Sequence, residues 1–271
     1  MKYKFFVNKI SDLTVFFLLF SSEIAHGFAT PDFGSVLVKK SIPLIEKHSI
    51  KYNIDSSHNH IHSKEVANYC LQILKCEKNI HLKDKKIALL GSLFHDTIDS
   101  KYIKGEDTEV ILKNLLEKVV PDEEETIKQV ILFSKYISYS KTVEKNKDGS
   151  LRFVLPEPLQ HFENLQAYHV MRNADLLSSY NLQRTLVYRS HKNKTKDPEL
   201  LTKEMSSLYF SRMHLLRKSH ILSLENPYCD VASRIMEKMA LKRISNYQRW
   251  NKETKNHLSY PELLEYFEVV F

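Results

Sequence analysis

From Pro31 onward, apolar residues recur three and four apart almost throughout the chain, the spacing of one buried helix face. Residues 33–49 carry Val36, Leu37, Ile42, Leu44 and Ile45 before a break near Asn53. Asp55-Ser56-Ser57 then offers N-cap oxygens for a second helix, whose residues 63–76 put Val66, Ala67, Cys70, Ile73 and Leu74 on one face. Residues 84–95 repeat the pattern with Ile87, Leu90, Leu93 and Phe94. Asp107-Thr108 starts a helix through Val120, and Pro121 opens another to about Ser134. Residues 138–160 break the pattern: Asp148-Gly149 sits between two short β-prone runs, which reads as a hairpin or a mobile loop closed by Pro156 and Pro158. Helix resumes near Leu165 and passes Asp175. Lys192–Pro198 is a polar loop, and residues 199–222 and 230–250 read as two more helices divided by Asn226-Pro227. No internal repeat or low-complexity stretch interrupts this order.

Composition supports an all-α fold. Among 271 residues there are only 5 glycines, too few for an all-β fold or a Gly-rich nucleotide-binding α/β fold. The length suits one domain over residues 31–271. The net charge of +7 favours acidic ligands such as phosphates or nucleotides, or else a solubilising surface. Lys192, Lys194 and Lys196 make the one tight basic run, and no zinc finger or basic-aromatic stripe accompanies it, so nucleic acid is not an expected partner. Three cysteines, Cys70, Cys76 and Cys229, make no disulfide framework and mildly favour a reducing compartment.

Residues 1–30 stand apart. Lys2 and Lys4 precede the apolar run Leu13–Phe20, and Ala25 and Gly27 follow as small residues suited to cleavage. The run is too short to span a bilayer, so no stable membrane span is expected. The segment reads as a cleaved targeting peptide or as an apolar extension. Gly27-Phe28-Ala29-Thr30-Pro31 resembles the cleavage motif of bipartite plastid presequences. The compartment is therefore cytoplasmic or, with cleavage, organellar or secretory.

Three segments carry chemistry: Asp55-Ser56-Ser57-His58-Asn59-His60-Ile61-His62, His95-Asp96-Thr97-Ile98-Asp99-Ser100-Lys101-Tyr102, and Arg172-Asn173-Ala174-Asp175-Leu176-Leu177. Each alone has a structural explanation, as caps, surface residues or satisfied core groups. Together they pose an electrostatic problem. His95 and Asp96 end the apolar run Leu89–Phe94, and Asp175 lies among Ala174, Leu176 and Leu177. A buried unpaired carboxylate costs several kcal/mol, roughly, which a metal ion removes. Two acids and two imidazoles suit one divalent ion among Mn, Mg, Co, Ni, Zn and Fe. His58 and His62 share a face if their segment is helical, and Asp99 lies three and four residues beyond Asp96 and His95.

The order His…His-Asp…Asp resembles the signature of the HD superfamily of metal-dependent phosphohydrolases. The resemblance extends further, over roughly Ile42 to Met239. Segment one is similar to the D-x-S-H-x-x-x-H-x-x-x-V element of a bacterial and plant branch, with Val66 last. Segment two is similar to its H-D-x-x-D-x-K-Y, and segment three to its A-D-x-L, followed by Arg184-Thr185. Ile137-Ser138-Tyr139-Ser140 resembles a serine-containing stretch between them. The resemblance implies an HD-type helical bundle and the metal ligands His62, His95, Asp96 and Asp175. It places His58, Asp99 and Lys101 toward the substrate. Against the usual A-D-R-L-D-A-x-G, this chain has Ala174-Asp175-Leu176-Leu177-Ser178-Ser179-Tyr180: the second acid is missing and Tyr180 is read as replacing the small glycine, which alters the pocket.

The expected reaction is hydrolysis of a phosphate ester or phosphoanhydride, with a nucleotide as the leading small phosphorylated substrate. Asp99 orients or deprotonates the attacking water or, equally, fixes a ligand histidine from behind. Lys101 or His58 neutralises developing phosphate charge, with Arg184 a weaker candidate. Two other readings share the scaffold. A di-iron oxygenase needs further histidines between the His-Asp pair and the last Asp, where only His161 and His169 are on offer. A non-catalytic ligand sensor fits poorly with an intact ligand set.

Overall fold

The computed structural model of the chain describes residues 33–77, 79–148 and 151–179. The two helices expected at 199–222 and 230–250, the loop at Lys192–Pro198, Leu13–Phe20, Tyr180, Arg184 and Cys229 lie outside these residues. The chain divides into two compact units between Val36 and Leu37. Of the first, only Phe33–Val36 are described; all other described residues belong to the second.

The described residues are mostly helical, with one two-stranded antiparallel sheet. In order they are α1 (Phe33–Lys51), α2 (His60–Cys76), α3 (Leu82–Phe94), a 3-10 turn (His95–Ile98), α4 (Thr108–Glu117), α5 (Glu124–Tyr136) and α6 (Tyr139–Thr142). Then come β1 (Val143–Lys145), β2 (Leu151–Phe153), a second 3-10 turn (Glu157–Leu159) and α7 (Gln166–Ser178). The hairpin expected from Asp148-Gly149 is present, with Glu144 opposite Arg152 in register and ion-paired at 2.7 Å.

Helix α3 is the hub. Every residue from Ile87 to Phe94 is buried, because α2, α5 and α7 all pack against it. A helix apolar all round belongs inside a bundle. Gly91 lies at the contact with α7. A Cβ built there would overlap Met171 Sδ of α7 and lie 2.8 Å from its Cε, so only hydrogen lets α3 and α7 approach this far.

Helix α2 opens differently from the sequence expectation. Its N-cap is Asn59, whose side chain accepts from the Ile61 N–H at 2.9 Å. Asp55 instead folds back on its own turn, accepting from the Ser57 N–H at 2.8 Å, the local bond that short acids favour over a cap. His58 therefore lies in the turn before α2, not one helical turn below His62 on a shared face. The buried face itself is as expected: His62, Val66, Cys70, Ile73 and Leu74 line it. At α4 the expected cap holds, with Asp107 accepting from Glu109 N–H at 2.9 Å and Val110 N–H at 3.3 Å. Pro121 does not open α5; it belongs to a turn that uses Asp122 at φ 64°, and the helix starts at Glu124. Among the described residues no helix is long and apolar enough to cross a membrane.

Candidate metal centre

Three elements meet at the C-terminal end of α3. His62 comes from the first turn of α2, His95 and Asp96 from the 3-10 turn that ends α3, and Asp175 from the last turn of α7. His62 Nε2 lies 3.2 Å from His95 Nε2, 3.2 Å from Asp96 Oδ2 and 3.4 Å from Asp175 Oδ1. His95 Nε2 lies 3.4 Å from Asp96 Oδ2 and 3.6 Å from Asp175 Oδ1. His62, His95 and Asp96 thus present one atom each to a common point, and Asp175 Oδ1 stands beside it against both imidazoles.

The local backbone explains the aim of each imidazole. The last carbonyls of a helix lack intrahelical donors. His95 Nδ1–H donates to one of them, Ser92 O, at 3.0 Å, which turns its Nε2 lone pair away from the helix. Ser178 Oγ donates to the Asp175 carbonyl at 2.9 Å and stands 3.4 Å from His62 Nδ1. With its hydrogen committed there, the hydroxyl accepts from Nδ1–H and turns the His62 lone pair inward too. A metal-ligating histidine needs such a partner on its other nitrogen.

Two imidazole lone pairs and two carboxylate oxygens so close together repel unless positive charge stands among them. Ligands about 2.1 Å from a metal are about 3.0 Å apart at a right angle and about 3.4 Å apart at a tetrahedral angle. The spacings of 3.2 to 3.6 Å around the two imidazoles match that geometry, and the N/O donors suit a divalent transition ion. The residues present therefore fit a metal. The negative end of the α3 dipole adds to the attraction for a cation. Burial opposes the charge on Asp96, but His95, then His62 and His58, outweigh it and hold the carboxyl well below the usual carboxylate range.

Beside this point lies a second group. Ligand atoms of His58, Asp96 and Asp99 all fall within 4.8 Å of one another. Lys101 Nζ donates to His58 Nε2 at 2.8 Å and pairs with Asp99 Oδ2 at 3.0 Å. The Lys101 backbone N–H donates to Asp99 Oδ1, also at 3.0 Å. Asp99 is therefore bound to Lys101, and the ligand histidines are backed by Ser92 and Ser178 instead. The expectation that Asp99 fixes a ligand histidine from behind is corrected accordingly.

Sequence reading missed the support for His58. Its Nδ1 is 2.6 Å from Ser57 Oγ, and that hydroxyl and the Tyr102 hydroxyl both donate to Asp55. Burial alone would raise the Asp55 pKa, yet bonds from His58, Ser57 and Tyr102 hold it well below the usual range. Burial and the bond to Asp55 push the Tyr102 phenol upward, so it stays a donor. The signal was available: Asp55, Ser57 and Tyr102 are all motif positions, although nothing in their spacing shows that they touch. Ser178 was also visible, as the residue standing where the second acid of the A-D-R-L-D pattern is missing. Counted from Ala174, the glycine of that pattern falls on Asn181 and not on Tyr180; both are outside the described residues.

The remaining candidates lie elsewhere. His161 is exposed. His169 is buried against Phe153 and Tyr168, with ring centroids 5.8 and 5.6 Å away. Neither belongs to the donor groups that the described residues form. Ser138 and Ser140 pair with each other at 3.3 Å at the exposed start of α6. A groove of about 640 Å³ between α1 and α4 carries none of the donors. His48, on its wall, donates from Nε2 to the Thr97 carbonyl of the 3-10 turn at 2.9 Å. No family model, no curated protein and no solved structure matches the chain.

Proposed function

We propose that the chain is a metal-dependent phosphohydrolase of the HD type, cleaving a phosphate ester or phosphoanhydride of a small molecule, with a nucleotide as the leading substrate class. One observation carries this reading: of the residues chosen by motif order, His62, His95 and Asp96 converge, and Asp175 Oδ1 lies against both Nε2 atoms. These four residues would hold one divalent ion. Such an ion supplies a water of lowered pKa and a Lewis acid for a phosphoryl oxygen.

The rest of the chemistry belongs to the chain. Lys101 carries a positive charge next to Asp99 on the open side of the cluster, with 39% of its side chain exposed. It can bind a phosphate oxygen and balance the charge that develops there. Asp99, 27% exposed and close to Asp96, is placed to accept a proton from an attacking water. His58, held by Ser57, accepts at Nε2 from Lys101 and can hold that ammonium in position for a phosphate oxygen. The preference for nucleotides rests on the resemblance alone. Tyr180 and Arg184 keep their proposed places near the substrate on that basis.

The test is phosphate or pyrophosphate release by the full chain from a panel of nucleotides and phosphomonoesters, with Mn, Mg, Co, Ni or Zn added and Asp96→Ala as control. Metal-dependent release that the control lacks supports the proposal. No release with any metal, from protein that binds one ion tightly, points instead to a ligand sensor.

A further inference from the structure

The group formed by His58, Asp96 and Asp99 has the composition of a metal site in its own right: one imidazole and two carboxylates, with ligand atoms within 4.8 Å of one another. Asp96 also belongs to the His62 and His95 group, so the two positions share a carboxylate. What distinguishes the second position is that it already holds a cation. Lys101 Nζ is 2.8 Å from His58 Nε2 and 3.0 Å from Asp99 Oδ2. A lysine ammonium is a compact point charge with rotatable donors, the nearest side-chain equivalent of a small ion.

We propose that the Lys101 ammonium occupies a second cation position beside the metal centre, and that a divalent ion takes this position when the lysine side chain is removed. The inference rests on the metal reading of the neighbouring cluster and specifies it: the working pair is one ion and one ammonium.

Two of the donors have an anchor besides the ammonium. His58 is held through Nδ1 by Ser57 Oγ at 2.6 Å, and Ser57 is anchored on Asp55. Asp99 is held through Oδ1 by the Lys101 backbone N–H as well as through Oδ2 by the lysine side chain, and the backbone bond survives truncation. Truncation at Lys101 thus leaves His58 Nε2, Asp99 Oδ2 and Asp96 in place with one positive charge fewer among them. Electrostatics then favours a replacement cation, and the mixed N/O donors favour Mn over Ca. The lysine side chain is 39% exposed, so its loss empties no core.

The pair also has a consequence for the substrate. A phosphoryl group spanning the two positions meets a metal on one side and the ammonium on the other. The ammonium can donate hydrogen bonds to non-bridging oxygens, which a second ion cannot do.

The experiment is manganese stoichiometry on the full chain, by native mass spectrometry, together with electron paramagnetic resonance. Wild type and Lys101→Arg are expected to bind one Mn(II) each, with the spectrum of an isolated ion. Lys101→Ala is expected to bind two, with the spin-coupled spectrum of ions that share a carboxylate. Lys101→Ala combined with Asp99→Asn is expected to return to one. A single ion in Lys101→Ala, or two in wild type, overturns the inference and leaves the metal reading standing. No ion in wild type overturns the metal reading and the inference with it.

Discussion

His62 Nε2 and His95 Nε2 face each other at 3.2 Å, while their Nδ1 atoms turn outward to Ser178 and to the Ser92 carbonyl. The two rings meet nearly edge to face, 74° apart. Neither neutral imidazole can donate to the other without giving up its anchor, and this makes the pair a seat for a cation. Because the anchors come from α7 and from the end of α3, the seat depends on how the helices pack.

Ligand removal is the most direct check. His95→Ala and Asp96→Ala are expected to abolish metal binding and turnover while far-ultraviolet circular dichroism shows the helices retained. Both side chains sit at the end of α3, beyond its apolar run. Full turnover by either variant, at wild-type metal dependence, would sink the site.

Metal should also stabilise the fold. An ion that binds only the folded chain, at about a hundred times its Kd, adds about 2.7 kcal/mol. Thermal melts with Mn and with chelator measure this directly. Asp96→Ala should melt at the same temperature in both.

Ser178 tests the support behind a ligand. Ser178→Ala removes the acceptor from His62 Nδ1 and is expected to weaken metal affinity by about tenfold, the low end for such partners, because the contact is 3.4 Å long. Ser178→Thr keeps the hydroxyl and should retain affinity. Metal titration calorimetry on the two variants separates them, and equal affinities would remove Ser178 from the site.

Packing between α3 and α7 is tested at Gly91. Gly91→Ala drives a methyl into Met171, which is fully buried and has little room to move. Overpacking of this kind costs about 1–3 kcal/mol. Denaturant melts should show the loss, and Gly91→Ala with Met171→Ala should recover part of it.

The acid limit of stability has a buried contributor in His169. Burial, assisted by the positive charge of Arg172, lowers its pKa from 6.5 to about 4. The unfolded chain then takes up a proton that the folded chain refuses. Stability from this residue is complete above about pH 6.5 and falls as the pH drops toward 4, by about 3 kcal/mol in order of magnitude. His169→Phe should flatten the stability profile between pH 4 and 6.5. An unchanged profile would show that the ring is protonated when buried or that other groups set the slope.

Much was legible in the sequence because periodicity and composition are local properties. The apolar spacing placed α2, α3 and α7 close to their observed positions, and Asp148-Gly149 marked the hairpin. Motif order selected four donors from three segments. Misreadings came at boundaries, where short polar side chains have several backbone partners. Asp55 bonds to the Ser57 N–H instead of capping α2, and the turn after Pro121 delays α5.

By itself, then, the sequence determined a helical chain and which histidines and acids could serve a metal, since residue type and spacing carry that information. The tertiary structure decided what they do to one another. It moved His58 off the α2 face and onto Lys101, joined Asp99 to that lysine, and enlisted Ser92, Ser178 and Tyr102 as supports. These are contacts across as many as 116 positions of chain. Their distances follow from how closely α2, α3 and α7 can pack, with Gly91 against Met171 where α3 meets α7, and no local spacing encodes that.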